Sequence, residues 1–161
     1  MDSFEELMDG MYGWKVKDGE VDPPHYQFPQ SVLERIHYFN FAPLWEDGMT
    51  FMGAMQFIIG GSEAKRDYLK YGIGAWLPES DGFKKWYESW GKSARQQLIA
   101  LALMYGYDTD SLTADQNDLS KWAIKAALED YGYEDLSEVA KQDHDDLTWR
   151  ASMIQRIKNN I

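Results

Sequence analysis

The stretch KQDHDDLTWR, residues 141–150, places one histidine among carboxylates: His144 is flanked by Asp143, Asp145 and Asp146. Imidazole and carboxylate are ligands for catalytic metal ions, so metal-assisted hydrolysis is the first chemistry to weigh. A metal centre needs several ligands converging on one point. The chain has three histidines in all, His25, His37 and His144. Neighbours on a helix do not face one another, so His144 and Asp145 reach a single ion only from an irregular backbone. The same residues make an ordinary helix start, where carboxylates cap free amides and meet the positive end of the dipole. The helix start is the expected role, with no metal ligand assigned. A metal-dependent hydrolase around His144 is the alternative.

Other motifs carry less. Glu34 and His37 form one Glu-x-x-His on a helix face, but a di-iron carboxylate site needs a second such pair, and the chain has none. His37 lies near a mostly apolar face, where a hydrogen-bonded boundary histidine is the ordinary occupant. DTDSLTADQNDL, from Asp108 to Leu119, begins like a calcium loop. It then has Thr113 where the sharp turn needs glycine and Leu119 where a bidentate glutamate is needed. Neither of the glycine-rich phosphate-binding patterns occurs, nor does G-x-S-x-G. With no cysteine, disulfides, a thiolate nucleophile and cysteine-held metals are excluded. The expectation is therefore a non-enzyme without a cofactor.

The elements that would position these residues are helical. Ser3 and Glu6 spell a capping box before Phe4, Leu7, Met8, Met11 and Tyr12. Asp18-Gly19 suggests a hairpin turn. Pro23, Pro24 and Pro29 make a rigid loop. Ser31 and Glu34 spell a second capping box, before Val32, Leu33, Ile36 and Phe39. MTFMGAMQFII reads as a helix buried on nearly every side, closed by Gly60-Gly61, with Ser62 capping SEAKRDYLKYG. Phe83, Trp86, Tyr87 and Trp90 form one stripe. Residues 93–105, with Leu98, Ile99, Leu101, Ala102 and Met104, read as the most buried helix. Gly106 ends it. A cap at Thr113, with Gln116 three residues on, leads to a helix lined by Leu119, Trp122, Ala123, Ala126 and Ala127. Asp135 and Glu138 start a short helix, and a last one runs from about Asp146. The fold class is all-α: one irregular helical bundle of seven or eight helices in a single domain, residues 1–161, with at most one small β-hairpin, near residues 14–21. The acidic start MDSFEELMDG lacks the features of a signal peptide, and no apolar run is long enough to cross a bilayer. A cytoplasmic protein is expected.

Charge is the strongest functional signal. The formal net charge is −11, with −9 concentrated in residues 108–146. Residues 1–50, with ten acids and three bases, carry a further −7, and two such acidic segments would repel a phosphate backbone, so direct nucleic-acid binding is not expected. The expected function is that of a non-catalytic interaction protein binding a basic protein partner. Its sharper form is an inhibitor occupying the nucleic-acid-binding surface of a host nuclease or related enzyme, of the kind mobile genetic elements carry. The expected contact residues are Asp108, Asp110, Asp115, Asp118, Glu129, Asp130, Glu134, Asp135 and Glu138. The alternative is an assembly or scaffold subunit held by aromatic contacts, since the chain has seven tryptophans and ten tyrosines, residue types that interfaces use as anchors.

Overall fold

Asp18 and Gly19 both take left-handed backbone angles, with φ of 54° and 84°, as a two-residue hairpin turn requires. They join β1 (Lys15–Lys17) to β2 (Glu20–Asp22) in antiparallel register. Lys15 lies opposite Asp22, Val16 opposite Val21 and Lys17 opposite Glu20. Alternation along the strands puts the two opposite-charge pairs on one face and the valine pair on the other. The expected hairpin is thus present, one residue further along.

The other regular elements among the described residues are helical. The computed structural model describes residues 10–40, 45, 48–71 and 74–130. The capping box at Ser3, the expected helices at Asp135 and Asp146, and the residues Glu134, Asp135, Glu138 and His144 lie outside the described residues. Residues 10–12 are helical. Six further helices follow: α1 (Gln30–Phe39), α2 (Phe51–Ile59), α3 (Ser62–Tyr71), α4 (Asp81–Glu88), α5 (Lys92–Tyr105) and α6 (Gln116–Asp130). The protein is mainly helical with one small antiparallel hairpin. No helix of the described residues is long and apolar enough to cross a membrane.

The described residues fall into two compact units, one from 10–59 with 80–113 and one from 60–79 with 114–130. In the first, α1 meets α2 and α4, and α5 meets α2 and α4, closing a ring of four helices. Val32, Leu33, Ile36 and Phe39 of α1, Ala54, Phe57 and Ile58 of α2, Phe83, Trp86 and Tyr87 of α4, and Leu98, Ile99 and Ala102 of α5 are its buried core. In the second, Ala64 and Tyr68 of α3, the loop residues Ala75, Trp76 and Leu77, and Leu119, Ala123 and Leu128 of α6 are buried. There Tyr68 and Trp76 meet edge to face at 5.6 Å.

Helix starts differ from the sequence pattern in three places. Pro29 rather than Ser31 precedes α1, with its carbonyl accepting from the Leu33 amide at 3.0 Å, and no side chain caps that helix. Gly61 rather than Ser62 stands before α3, its carbonyl accepting from Lys65. Asp115 rather than Thr113 caps α6: Asp115 Oδ1 accepts from the Asp118 amide at 2.9 Å, and Asp118 Oδ2 accepts from the Asp115 amide at 3.4 Å. This is the reciprocal capping box with aspartate in both places. Thr113 is instead held by Gln30, whose Oε1 accepts from both its amide and its hydroxyl.

Four apolar assignments also move. Trp90 is exposed because α4 stops at Glu88 and Ser89 turns extended, so the ring leaves the stripe of Phe83, Trp86 and Tyr87. Met52 and Met104 are exposed on α2 and α5, and Trp122 is exposed on α6. Each of these helices is amphipathic, with one side left to solvent.

Candidate binding site

In the first unit a cleft of about 360 Å³ opens between the proline-rich segment 23–28 and the C-terminal end of α5. Sequence positions it from both sides. Pro23 and Pro24 hold the segment extended and helix-free. Gly106 stops α5 with a φ of 92°, its amide donating to the Ala102 carbonyl at 2.9 Å, a positive-φ helix end that glycine adopts without strain. The chain then runs on as Tyr107 and Asp108 along the cleft. Gly10 lies against Leu98 and Tyr26, where a Cβ would come within 2.9 and 3.0 Å of their side chains. Only a glycine lets this backbone approach so closely.

The lining is aromatic. Tyr26 and Phe28 meet edge to face at 4.8 Å, and the Tyr26 hydroxyl accepts from Trp86 Nε1 at 3.1 Å. Tyr105 also lines the cleft, and Trp14 meets its ring edge to face at 5.1 Å. Both rings stay open to solvent, Trp14 at 41% and Tyr105 at 52% of full exposure. Trp14 is itself fixed, with Nε1 donating to the Met11 carbonyl at 3.1 Å. Tyr107 shares a hydrogen bond with His37 Nδ1 at 3.2 Å. Burial holds the Tyr107 phenol above its ordinary pKa, against the downward pull of the Asn40 hydrogen bond. Burial likewise holds His37 below its ordinary value and Glu34 above its own. His37 is thus the hydrogen-bonded boundary residue that its place on the helix suggests.

Asp108, an exposed residue, also lines this cleft. Its Oδ1 accepts from the Asp110 amide at 2.9 Å, and its carbonyl accepts from Ser111 Oγ at 3.1 Å. One lone pair therefore holds the turn, and the rest of the carboxylate stays available at the surface. His25, on the other wall, is exposed and bonded to Asp22 at 3.0 Å.

The remaining expected contact acids are distributed. Asp110 is exposed beside Asp108 in the first unit. Asp115, Asp118, Glu129 and Asp130 lie in the second. Asp115 and Asp118 cap α6, and Asp130 binds Lys65 Nζ at 2.6 Å. Glu129 stands 3.9 Å from Lys125, one turn back on α6. Lys121 and Lys125 are exposed between Asp118 and Glu129, so the open side of α6 carries both signs of charge. Among the described residues no three histidine, aspartate or glutamate side chains come together as a metal site.

Two buried cations form no part of the sequence expectation. Arg35 and Arg95 are 2% and 1% exposed. Arg35 Nε donates to the Ile58 carbonyl and Nη2 to the Phe57 carbonyl, and the guanidinium lies 4.9 Å from the Phe39 ring and 5.1 Å from that of Phe83. Arg95 lies over Trp86 at 4.7 Å. The signal is in the sequence: Arg35 falls inside the apolar arc of Val32, Ile36 and Phe39, and Arg95 begins the i, i+3, i+4, i+7 row that Leu98, Ile99 and Ala102 continue. No family model matches the chain, and neither a curated protein nor a solved structure matches it significantly.

Proposed function

We propose that this chain is a non-catalytic interaction module that binds a basic protein partner. The observation that carries the proposal is the exposed Trp14–Tyr105 pair beside the Asp108 cleft, on a chain of net charge −11. Fixed aromatic rings give contact area with little loss of side-chain freedom, and a surrounding negative field draws a basic partner in. An inhibitor that occupies a nuclease's nucleic-acid-binding surface is the sharper form, supported by the charge of residues 108–146. The proposed setting is the cytoplasm, which a chain without cysteine fits.

The second reading, an assembly subunit held by apolar contacts, is favoured by the exposed valine pair of the hairpin and by exposed Met52, Trp90 and Trp122. Affinity capture at low and high salt separates the two, because charge-steered contacts weaken with ionic strength and apolar ones do so much less. Under the first reading, basic proteins are retained at low salt and released at high salt. Reversing Asp108, Asp110, Glu129 and Asp130 together should abolish that retention. Retention that is indifferent to both salt and the reversal would move the function to assembly.

A further inference from the structure

We infer that the cleft between residues 23–28 and the end of α5 is a subsite for one basic side chain, an arginine or lysine, on an extended segment of the partner. This rests on the proposed function and names the chemistry of its contact. Three properties of the cleft converge on a cation. Asp108 lines the cleft, and among the described residues the second oxygen of its carboxylate has no structural bond of its own. The last turn of α5 ends at the cleft, and a helix C-terminus carries unsatisfied carbonyls and the negative end of the dipole. Tyr26, Phe28, Tyr105 and Tyr107 line it, and aromatic faces attract guanidinium and ammonium groups.

The opposing charge at the rim is accounted for. His25 is the cationic candidate among the lining residues, and it is bonded to Asp22. The volume of about 360 Å³ sits at the small end of ligand pockets. That suits a single long side chain with its stem against Tyr105 and its head toward Asp108. Trp14, edge to face with Tyr105 and open to solvent, would cover the neighbouring backbone of the segment.

The test uses the full chain and two capped tripeptides, acetyl-Gly-Arg-Gly-amide and its citrulline isostere, which keeps the shape and removes the charge. Amide resonances are followed by ¹H–¹⁵N NMR during titration. The arginine peptide should give saturable shifts confined to residues 25–28 and 103–108, with an affinity about tenfold above that of the citrulline peptide. Asp108→Asn should remove most of that difference while keeping the Asp110 amide bonded, and Tyr105→Ala should weaken the arginine peptide. Equal shifts from both peptides, shifts located elsewhere, or no shifts at all would overturn the subsite. If capture of a basic partner stays salt-sensitive while the cleft ignores the peptides, the subsite fails and the proposed function stands. If the peptides bind but no basic partner is captured, the subsite stands and the proposed function fails.

Discussion

Arg35 Nε donates to the Ile58 carbonyl at 2.6 Å, so a buried guanidinium on α1 closes the C-terminus of α2. The last carbonyls of a helix have no partner within it, and the negative end of the dipole lies there. Arg35 meets both needs and packs its planar group near Phe39 and Phe83. The four-helix ring is therefore joined by a polar contact inside an apolar core.

Replacing this group should destabilise the ring. Arg35→Met should lose roughly 2–4 kcal/mol, because two buried carbonyls lose a charged donor. Arg35→Lys should recover only part of that, since an ammonium can neither fork to both carbonyls nor stack on the rings. Urea unfolding followed by circular dichroism measures both. A Lys variant as stable as the parent would mean that charge alone suffices.

Gly60 has a φ of +87°, and a Cβ there would fall 2.1 Å from Glu79 Oε1. That carboxylate accepts from the Gly61 amide at 2.5 Å, just before α3. Gly60→Ala should cost about 1–3 kcal/mol through the left-handed angle and the displaced carboxylate. Glu79→Ala removes the collision but leaves the angle strained. The double variant should therefore be less unstable than the two single losses added together. Simple additivity in thermal unfolding would show that the carboxylate is not the obstacle.

Asp115 has two candidate roles, capping and partner contact, and they separate chemically. Asparagine caps as well as aspartate, whereas alanine does not. Asp115→Ala should lose about 1 kcal/mol, and Asp115→Asn should stay within about 0.5 kcal/mol of the parent. If the charge at 115 also meets the partner, the Asn variant keeps its stability and loses affinity. Binding unchanged in Asp115→Asn would leave this residue with a capping role alone.

How far the fold is legible in the chain follows from which forces are local. Apolar spacing locates the helices because periodicity survives without knowing the neighbours. The Asp18-Gly19 turn and the Gly106 stop are equally local, being set by backbone angles. Burial at helix edges is not local. Trp122 and Met104 fit an apolar stripe by spacing, yet face solvent, because no neighbouring element among the described residues covers that side. The cleft is less legible still. Its walls, residues 23–28 and 98–108, are far apart in the chain, and they meet only because α5 packs in the ring. The acids show the opposite failure. Their clustering in the sequence suggests one face, whereas Asp115 and Asp118 are engaged in capping α6 and Asp130 in an ion pair with Lys65, far away in the chain.

His37 and Glu34 set opposite pH dependences on one helix. Burial lowers His37 below its ordinary 6.5, so the unfolded chain binds the proton more readily. Its contribution is complete above 6.5 and is lost as pH falls through the folded value. Burial raises Glu34 above its ordinary 4.5, so here the folded chain holds the proton more readily. That contribution is complete below 4.5 and is lost as pH rises through the folded value. His37→Gln should therefore gain melting temperature relative to the parent at about pH 5, with the gain shrinking toward about pH 8. Glu34→Gln should show the reverse trend, with its gain growing from about pH 4 to about pH 7. Thermal unfolding of the three proteins across that range checks both signs. A His37→Gln difference that does not change with pH would mean that desolvation of the imidazole is offset by its bond to Tyr107.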